Sequence, residues 1–278
     1  MTPIPAKKPG NPGTFYGKLF YDFIEQVTLK SANVIVPAVV RLLNPRSVLD
    51  VGCGLGIWLK VFQEHGVSVV KGIDGNHVRP EWLRIREDCF NAVDLSRPFS
   101  VEERFDLVLC LEVAEHLPAE MGESLVTVLT AAAPIVLFSA AIPGQGGQHH
   151  VNEQWPTYWH GLFAAHGYEL FDPFRPLIRE DRSVAQWYRQ NILVYVSRDY
   201  ALEFAARSNL GAVQPEFAIE WVHVTTYIEA LTPDQSLRAA FANLRRAIRP
   251  IPYLALKAAQ KRLRSKFNLN GGHGTAKL

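Results

Sequence analysis

In Ser47-Val48-Leu49-Asp50-Val51-Gly52-Cys53-Gly54-Leu55-Gly56, an apolar, β-branched run breaks into glycines at alternate positions and leads into the helix-like Ile57 to Gln63. This is the pattern of a strand, a tight turn and a helix start. Glycines admit positive φ and carry no Cβ, so a nucleoside with a polar tail can lie against bare backbone at the helix N-terminus. The spacing departs from the dinucleotide fingerprint, which needs glycines at positions one, three and six, because Ile57 stands at the sixth. One strand later the apolar run from Ser68 to Ile73 ends in Asp74, placed to take the two ribose hydroxyls of an adenosine group.

Working outward, apolar runs at 47–51, 68–73, 90–93, 105–111, 134–139, 170–174 and 191–197 alternate with helical patterns, which predicts an α/β fold with a parallel sheet. Upstream, Phe20, Phe23, Ile24 and Val27, then Val34, Ile35, Val39 and Leu42, fit two amphipathic helices within 15–43, and Tyr16 and Tyr21 there pack or reach a ligand. The expected organisation is an N-terminal segment with covering helices over 1–44, the main domain over 45–197, a packed helical extension over 198–236 and a basic amphipathic tail over 237–278.

Val48 to Gly56, with Gly72-Ile73-Asp74, Val93-Asp94-Leu95 and Phe105 to Glu112, resembles the class I S-adenosylmethionine-dependent methyltransferases over about residues 45 to 197. The resemblance implies a Rossmann-like, seven-stranded, mostly parallel sheet with helices on both faces, plus a C-terminal helical extension. It implies S-adenosyl-L-methionine at the carboxyl edge, held by Asp50, Gly52, Cys53, Gly54, Asp74, Asp94, Leu95 and Leu111. In that scheme Asp94 accepts from the adenine amino group and Leu95 packs on the ring; the alternative is that Asp-Leu-Ser-Arg-Pro is only a turn.

After the fourth strand, Glu112, Glu115 and His116 stand at i, i+3 and i+4, so one helical turn would gather them on one face at the edge where open α/β sheets bind ligands. Two carboxylates and an imidazole suit a divalent cation, with Mg²⁺ or Mn²⁺ expected and Zn²⁺ compatible. The Glu-x-x-Glu-His pattern is similar to two metal-dependent branches of the family, the ubiquinone-synthesis O-methyltransferases and the small-RNA 2′-O-methyltransferases. The second branch adds a histidine after the fifth strand, which implies His150 as fourth ligand, with His149 as the fallback. Without a metal, the acid and histidine would orient the cofactor or cap the next helix.

A metal suits an acceptor with two adjacent hydroxyls, because chelation lowers the attacking oxygen's pKa and aims it, while His149 or Glu153 takes the proton. The glycine-rich loop 143–150 could close over such an acceptor, and Trp155, Tyr158 and Trp159 suit stacking on sugars or bases. Arg189 and Gln190, before the last strand, are candidate acceptor contacts.

The chain of 278 residues is 48 % hydrophobic, enough for a substantial core. Its three cysteines, Cys53, Cys89 and Cys110, lack metal-ligand spacing, and a reduced, cytoplasmic setting fits them. No apolar signal core and no run approaching membrane-spanning length are expected. The net charge of +2 hides an asymmetry: ten of the 29 Lys and Arg lie from Leu237 onward, where there is no Asp or Glu. That tail suits an anionic membrane surface, which would place the protein at the inner face, then RNA, then an acidic neighbouring subunit. These features together point to a metal-assisted O-methyltransferase acting on a saccharide or other vicinal diol in polysaccharide or glycolipid synthesis. An RNA ribose 2′-O-methyltransferase, a catechol-like acceptor and a non-catalytic cofactor-binding module are the alternatives.

Overall fold

The structure, a computed structural model, describes residues 18–213, all within one compact unit. Tyr16, the basic tail and most of the expected 198–236 extension lie outside the described residues, as does the side chain of Tyr21.

The elements follow in the order α1 (Lys18–Leu43), β1 (Ser47–Val51), α2 (Ile57–Glu64), β2 (Val69–Asp74), β3 (Phe90–Ala92), β4 (Leu107–Leu111), α3 (Gly122–Ala132), β5 (Ile135–Ser139), α4 (Pro156–Ala165), β6 (Tyr168–Phe171), α5 (Arg175–Ile178), α6 (Gln186–Asn191), β7 (Leu193–Ser197) and α7 (Arg198–Ser208). The seven strands form one sheet in the order β3-β2-β1-β4-β5-β7-β6. β1 pairs in parallel with β2 and β4, β2 with β3, and β4 with β5, whereas β7 runs antiparallel to both β5 and β6. The strand order reverses between β1 and β4, and the carboxyl ends of strands at such a switch point are where open α/β sheets bind ligands.

Strand periodicity divides the core. Val48, Leu107, Leu109 and Val194 face a cluster with Trp58, Leu59 and Phe62 of α2, while Leu49, Val51, Val108, Cys110 and Phe138 face Leu125, Leu129, Trp159 and Phe163 of α3 and α4. Each such large side chain contributes about 1.5–3 kcal/mol on burial. Both faces being covered, the middle strands are continuously apolar, as in Leu-Val-Leu-Cys-Leu of β4, every residue of which is buried.

Several expectations change. The N-terminal pattern forms one helix, α1, with Pro37 inside it; the break expected between two apolar stripes does not form, because Ala32, Ile35, Val36 and Val39 all pack into the α2-side core. Within it, Ile24–Leu43 has a mean hydropathy of 1.2 and is, by length and composition alone, long enough to cross a membrane. That corrects the expectation of no such run, although those four residues are fully buried as in a core helix. Residues 93–106, between β3 and β4, form no helix. The sixth strand ends at Phe171, and Gln186–Asn191 is helical before β7.

Candidate active site

The glycine turn adopts the geometry its composition demands: Gly52, Gly54 and Gly56 all have positive φ, at 80°, 52° and 76°. A Cβ at Gly52 would collide with Val113, so the turn also packs against the segment after β4. The amides of Gly52 and Cys53 donate to the Ile73 carbonyl at 2.8 and 3.2 Å, which locks the turn to the end of β2. Asp74 reinforces the lock, its carboxylate accepting from Gly54 N and Gly75 N, each at 2.6 Å. Burial holds Asp74 above the usual carboxylate range, against the opposing pull of His77 and those two amides.

Asp50 is 2 % exposed, and its Oδ2 has no hydrogen-bond partner. Burial, then the Asp74 charge, pushes its carboxyl well above the usual range. A buried acid of this kind at the mouth of a bare glycine turn is complementary to a positively charged ligand group. Burial also raises the Cys53 thiol well above its ordinary value, which leaves it an inert packing group in the turn. Leu111 is buried at the end of β4.

Asp94 and Leu95 follow Val93, whose amide donates to the Asp74 carbonyl at 2.7 Å. The Asp94 carboxylate accepts from Ser96 N and Ser96 Oγ and pairs with Arg97 at an exposed position, and Leu95 is buried in the α3-side core.

The second half of the site begins at Glu112. No helical turn carries Glu112, Glu115 and His116: Glu112 has a left-handed φ of 57°, and Ala114–His116 is a single 3₁₀ turn. The reason is local, since β4 ends with Glu112 N donating to the Ser139 carbonyl at 2.9 Å and to Ser139 Oγ at 3.1 Å, which turns the chain aside. Glu112 consequently points to Asn191 and Gln145, whose amide groups donate to its two oxygens at 3.1 and 3.2 Å.

Glu115, His116 and His150 do come together, offering ligand atoms that all lie within 4.8 Å of one another. The loop is carried there by its backbone, with Val151 N and Asn152 N both donating to the Glu115 carbonyl, at 2.8 and 3.0 Å. Glu115 is 0 % exposed, and neither carboxylate oxygen makes a hydrogen bond of normal geometry. Burial, then the Glu112 charge, raises it well above the usual carboxylate range, with only the amides of Glu115 and Ala141 favouring its charge. The His116 Nδ1 is likewise buried without a partner, and burial followed by His150 lowers its ring to about 4. The His116 and His150 rings meet edge to face at 4.9 Å. One carboxylate and two imidazoles, with the Glu115 oxygens and His116 Nδ1 buried and unpartnered, fit a divalent cation.

Glu112 adjoins this group, its charge being, after burial, one cause of the raised Glu115 carboxyl, while Asn191 and Gln145 each donate to one of its oxygens. Glu153 accepts from Gly144 N and Gly146 N, at 2.7 and 2.9 Å, and pairs with His150 Nδ1 at 2.9 Å. His149 is exposed, with a left-handed φ of 61°, and lies outside the three-residue group. Trp159 is a core residue, while Trp155 is 40 % exposed beside the loop. Arg189 donates to the Arg179 carbonyl, and the Gln190 carbonyl accepts from Arg175. Asn191, Gln145 and Gly147 were not singled out from sequence. The polar run before β7 and the alternation of glycine with glutamine in the loop were the signals for the first two.

The family model described as "Methyltransferase domain" matches residues 26–175, just over half of the chain. Among curated relatives, the ubiquinone biosynthesis O-methyltransferase of Coxiella burnetii is 33% identical over 85 residues, covering 27% of this chain and 35% of that protein. The protein of the same name from Neisseria meningitidis serogroup C is 36% identical over 84 residues, covering 27% and 35%. The matched stretch thus spans about a third of the length of these relatives. Among solved structures, that of Streptomyces venezuelae DesVI superposes with a TM-score of 0.50 at 14% identity, covering 68% of this chain and 99% of that one, and shares the fold.

Proposed function

The chain belongs to the class I S-adenosylmethionine-dependent methyltransferases, and from that premise we propose that it methylates a hydroxyl of a vicinal diol, on a saccharide, with the help of a divalent ion. The observation that carries this reading is the group of Glu115, His116 and His150, with Glu115 buried and its carboxylate oxygens unpartnered, one turn beyond the end of β4.

In the cofactor half, the glycine turn and the α2 N-terminus would receive the methionine end of S-adenosylmethionine, whose positive charge would draw Asp50 into its ionised form. Asp74, already fixed by two backbone amides, presents its remaining lone pairs to the ribose hydroxyls. In the acceptor half, Glu115, His116 and His150 would hold the ion, which when bound lowers the pKa of a chelated hydroxyl and fixes its direction. Two nitrogens and one carboxylate favour Mn²⁺ over Mg²⁺, which prefers all-oxygen sites.

The acceptor oxygen attacks the methyl carbon in line as the carbon–sulfur bond breaks, and its proton must leave. With the Glu153 carboxylate already accepting from the loop, that proton passes to the His149 imidazole at the exposed mouth. Trp155 offers an aromatic face beside the loop for a sugar ring. The relatives named ubiquinone biosynthesis O-methyltransferase support an oxygen acceptor over the matched stretch.

The test is methyl incorporation from labelled S-adenosylmethionine into saccharides with free vicinal diols, a catechol and a 3′-terminal ribose RNA, with Mn²⁺, with Mg²⁺ and with chelator. Mn²⁺-dependent incorporation into saccharide is expected. Incorporation into RNA alone, or equal rates with chelator, would contradict the reading.

A further inference from the structure

We propose that Glu153 is a positioning residue that fixes His150 as its Nδ1-protonated tautomer, leaving Nε2 as the only ring nitrogen with a lone pair for the ion group. The proposal rests on the ion reading above and adds a residue that no ligand pattern includes.

Three contacts carry it. His150 Nδ1 lies 2.9 Å from Glu153 Oε1, and an ionised carboxylate only accepts, so the ring nitrogen facing it bears the proton. Glu153 is itself held from behind: Gly144 N donates to Oε2 at 2.7 Å and Gly146 N to Oε1 at 2.9 Å. Those two glycines sit at φ 82° and 70°, left-handed conformations that aim alternate loop amides inward. Such a carboxylate–histidine pair orients a ligating ring and raises its basicity.

The space around the ring agrees. A Cβ at Gly147 would collide with His150 at Nε2, so the backbone passes the ring edge only because residue 147 has no side chain. Between the two left-handed glycines, Gln145 reaches the other way, donating to Glu112 Oε2 at 3.2 Å and accepting from Asn191 Nδ2 at 3.0 Å. One short loop is thereby gripped by Glu153 on one side and by Glu112 and Asn191 on the other, with His150 fixed next to Glu115. Glu112 and Glu153 thus both hold the loop while adjoining the ion group.

The test uses the full chain, labelled with ¹⁵N-histidine and stripped of metal. Long-range ¹H–¹⁵N NMR reads the tautomer, with the His150 ring assigned by its loss in His150→Gln, and calorimetry then reads Mn²⁺ affinity. Wild type is expected to hold the Nδ1–H form. Glu153→Ala should shift His150 toward the Nε2–H form and weaken Mn²⁺ by about 10–100-fold, with S-adenosylhomocysteine affinity unchanged. Should that variant lose its fold, Glu153→Gln carries the test, because its amide keeps the volume but cannot accept from both glycine amides at once; Glu153→Asp should recover part of the affinity. An Nε2–H ring in wild type overturns the proposal, as does an unchanged tautomer and Mn²⁺ affinity in Glu153→Ala. If wild type binds no ion yet the tautomer follows Glu153, the positioning role stands and the ion reading falls.

Discussion

The two halves of the site are built in opposite ways. The cofactor half is nearly contiguous in sequence: a strand, three glycines and a helix start, closed by one carboxylate from the neighbouring strand, with Asp74 meeting Gly54 N at 2.6 Å. The acceptor half is assembled from residues distant in sequence. Glu115 and His116 follow β4, His150 and Glu153 come from the loop after β5, and Asn191 from the end of α6. It depends on backbone that propensity does not favour, with Glu112 and His149 both left-handed without being glycine. Strain of this kind persists where surrounding contacts over-determine it, and here loop amides and carboxylates do so. A turn motif can thus be read in one window, whereas a site closed by a loop has to be seen folded.

The contrast breaks first at the place where the halves touch. Gly52 combines positive φ with direct packing on Val113, so Gly52→Ala should cost about 2–5 kcal/mol from backbone strain and overpacking together. It should also abolish S-adenosylhomocysteine binding, as urea unfolding and calorimetry would register. Loss confined to ion binding would show that the glycine serves only the second half.

The loop offers the converse. Gly147→Ala should displace the His150 ring and weaken Mn²⁺ by about tenfold or more, while leaving S-adenosylhomocysteine affinity within about threefold of wild type. Equal loss of both ligands in titrations would mean that the halves fold as one unit.

The smallest effect concerns pH. The folded chain holds the Asp50 pKa well above its ordinary value of 3.8, so it retains a proton that the unfolded chain has released. Stability from this group is full below the ordinary value and falls as pH rises toward the raised one. Asp50→Asn should therefore be more stable than wild type at pH 8 by about 1 kcal/mol, the gap closing near pH 4, while binding S-adenosylmethionine more weakly. A gap that is constant with pH in denaturant titrations would place the Asp50 pKa in its ordinary range.

Legibility followed the same division. All seven strands could be placed from apolar runs to within a few residues, because a sheet covered on both faces leaves continuous hydrophobic stretches such as Leu107–Leu111. Asp50, the glycines and Asp74 were legible because a turn's φ requirement is written in its own residues. Glu115, His116 and His150 were legible as ligand types. Their geometry was not, since Ser139 deflects the chain at Glu112 and the spacing then ceases to mean a helical face. The role of Asn191 was hidden because its partner lies 79 positions away.

The most direct measurement is a two-stage calorimetric titration of chelator-treated wild type and Glu115→Ala, first with S-adenosylhomocysteine and then with Mn²⁺. S-adenosylhomocysteine should bind both proteins within about threefold, and Mn²⁺ should give a saturable heat in wild type alone, since truncating one of three ligands removes the ion. Mn²⁺ binding retained in Glu115→Ala, or absent from both proteins while S-adenosylhomocysteine binds, would contradict an ion site at Glu115, His116 and His150.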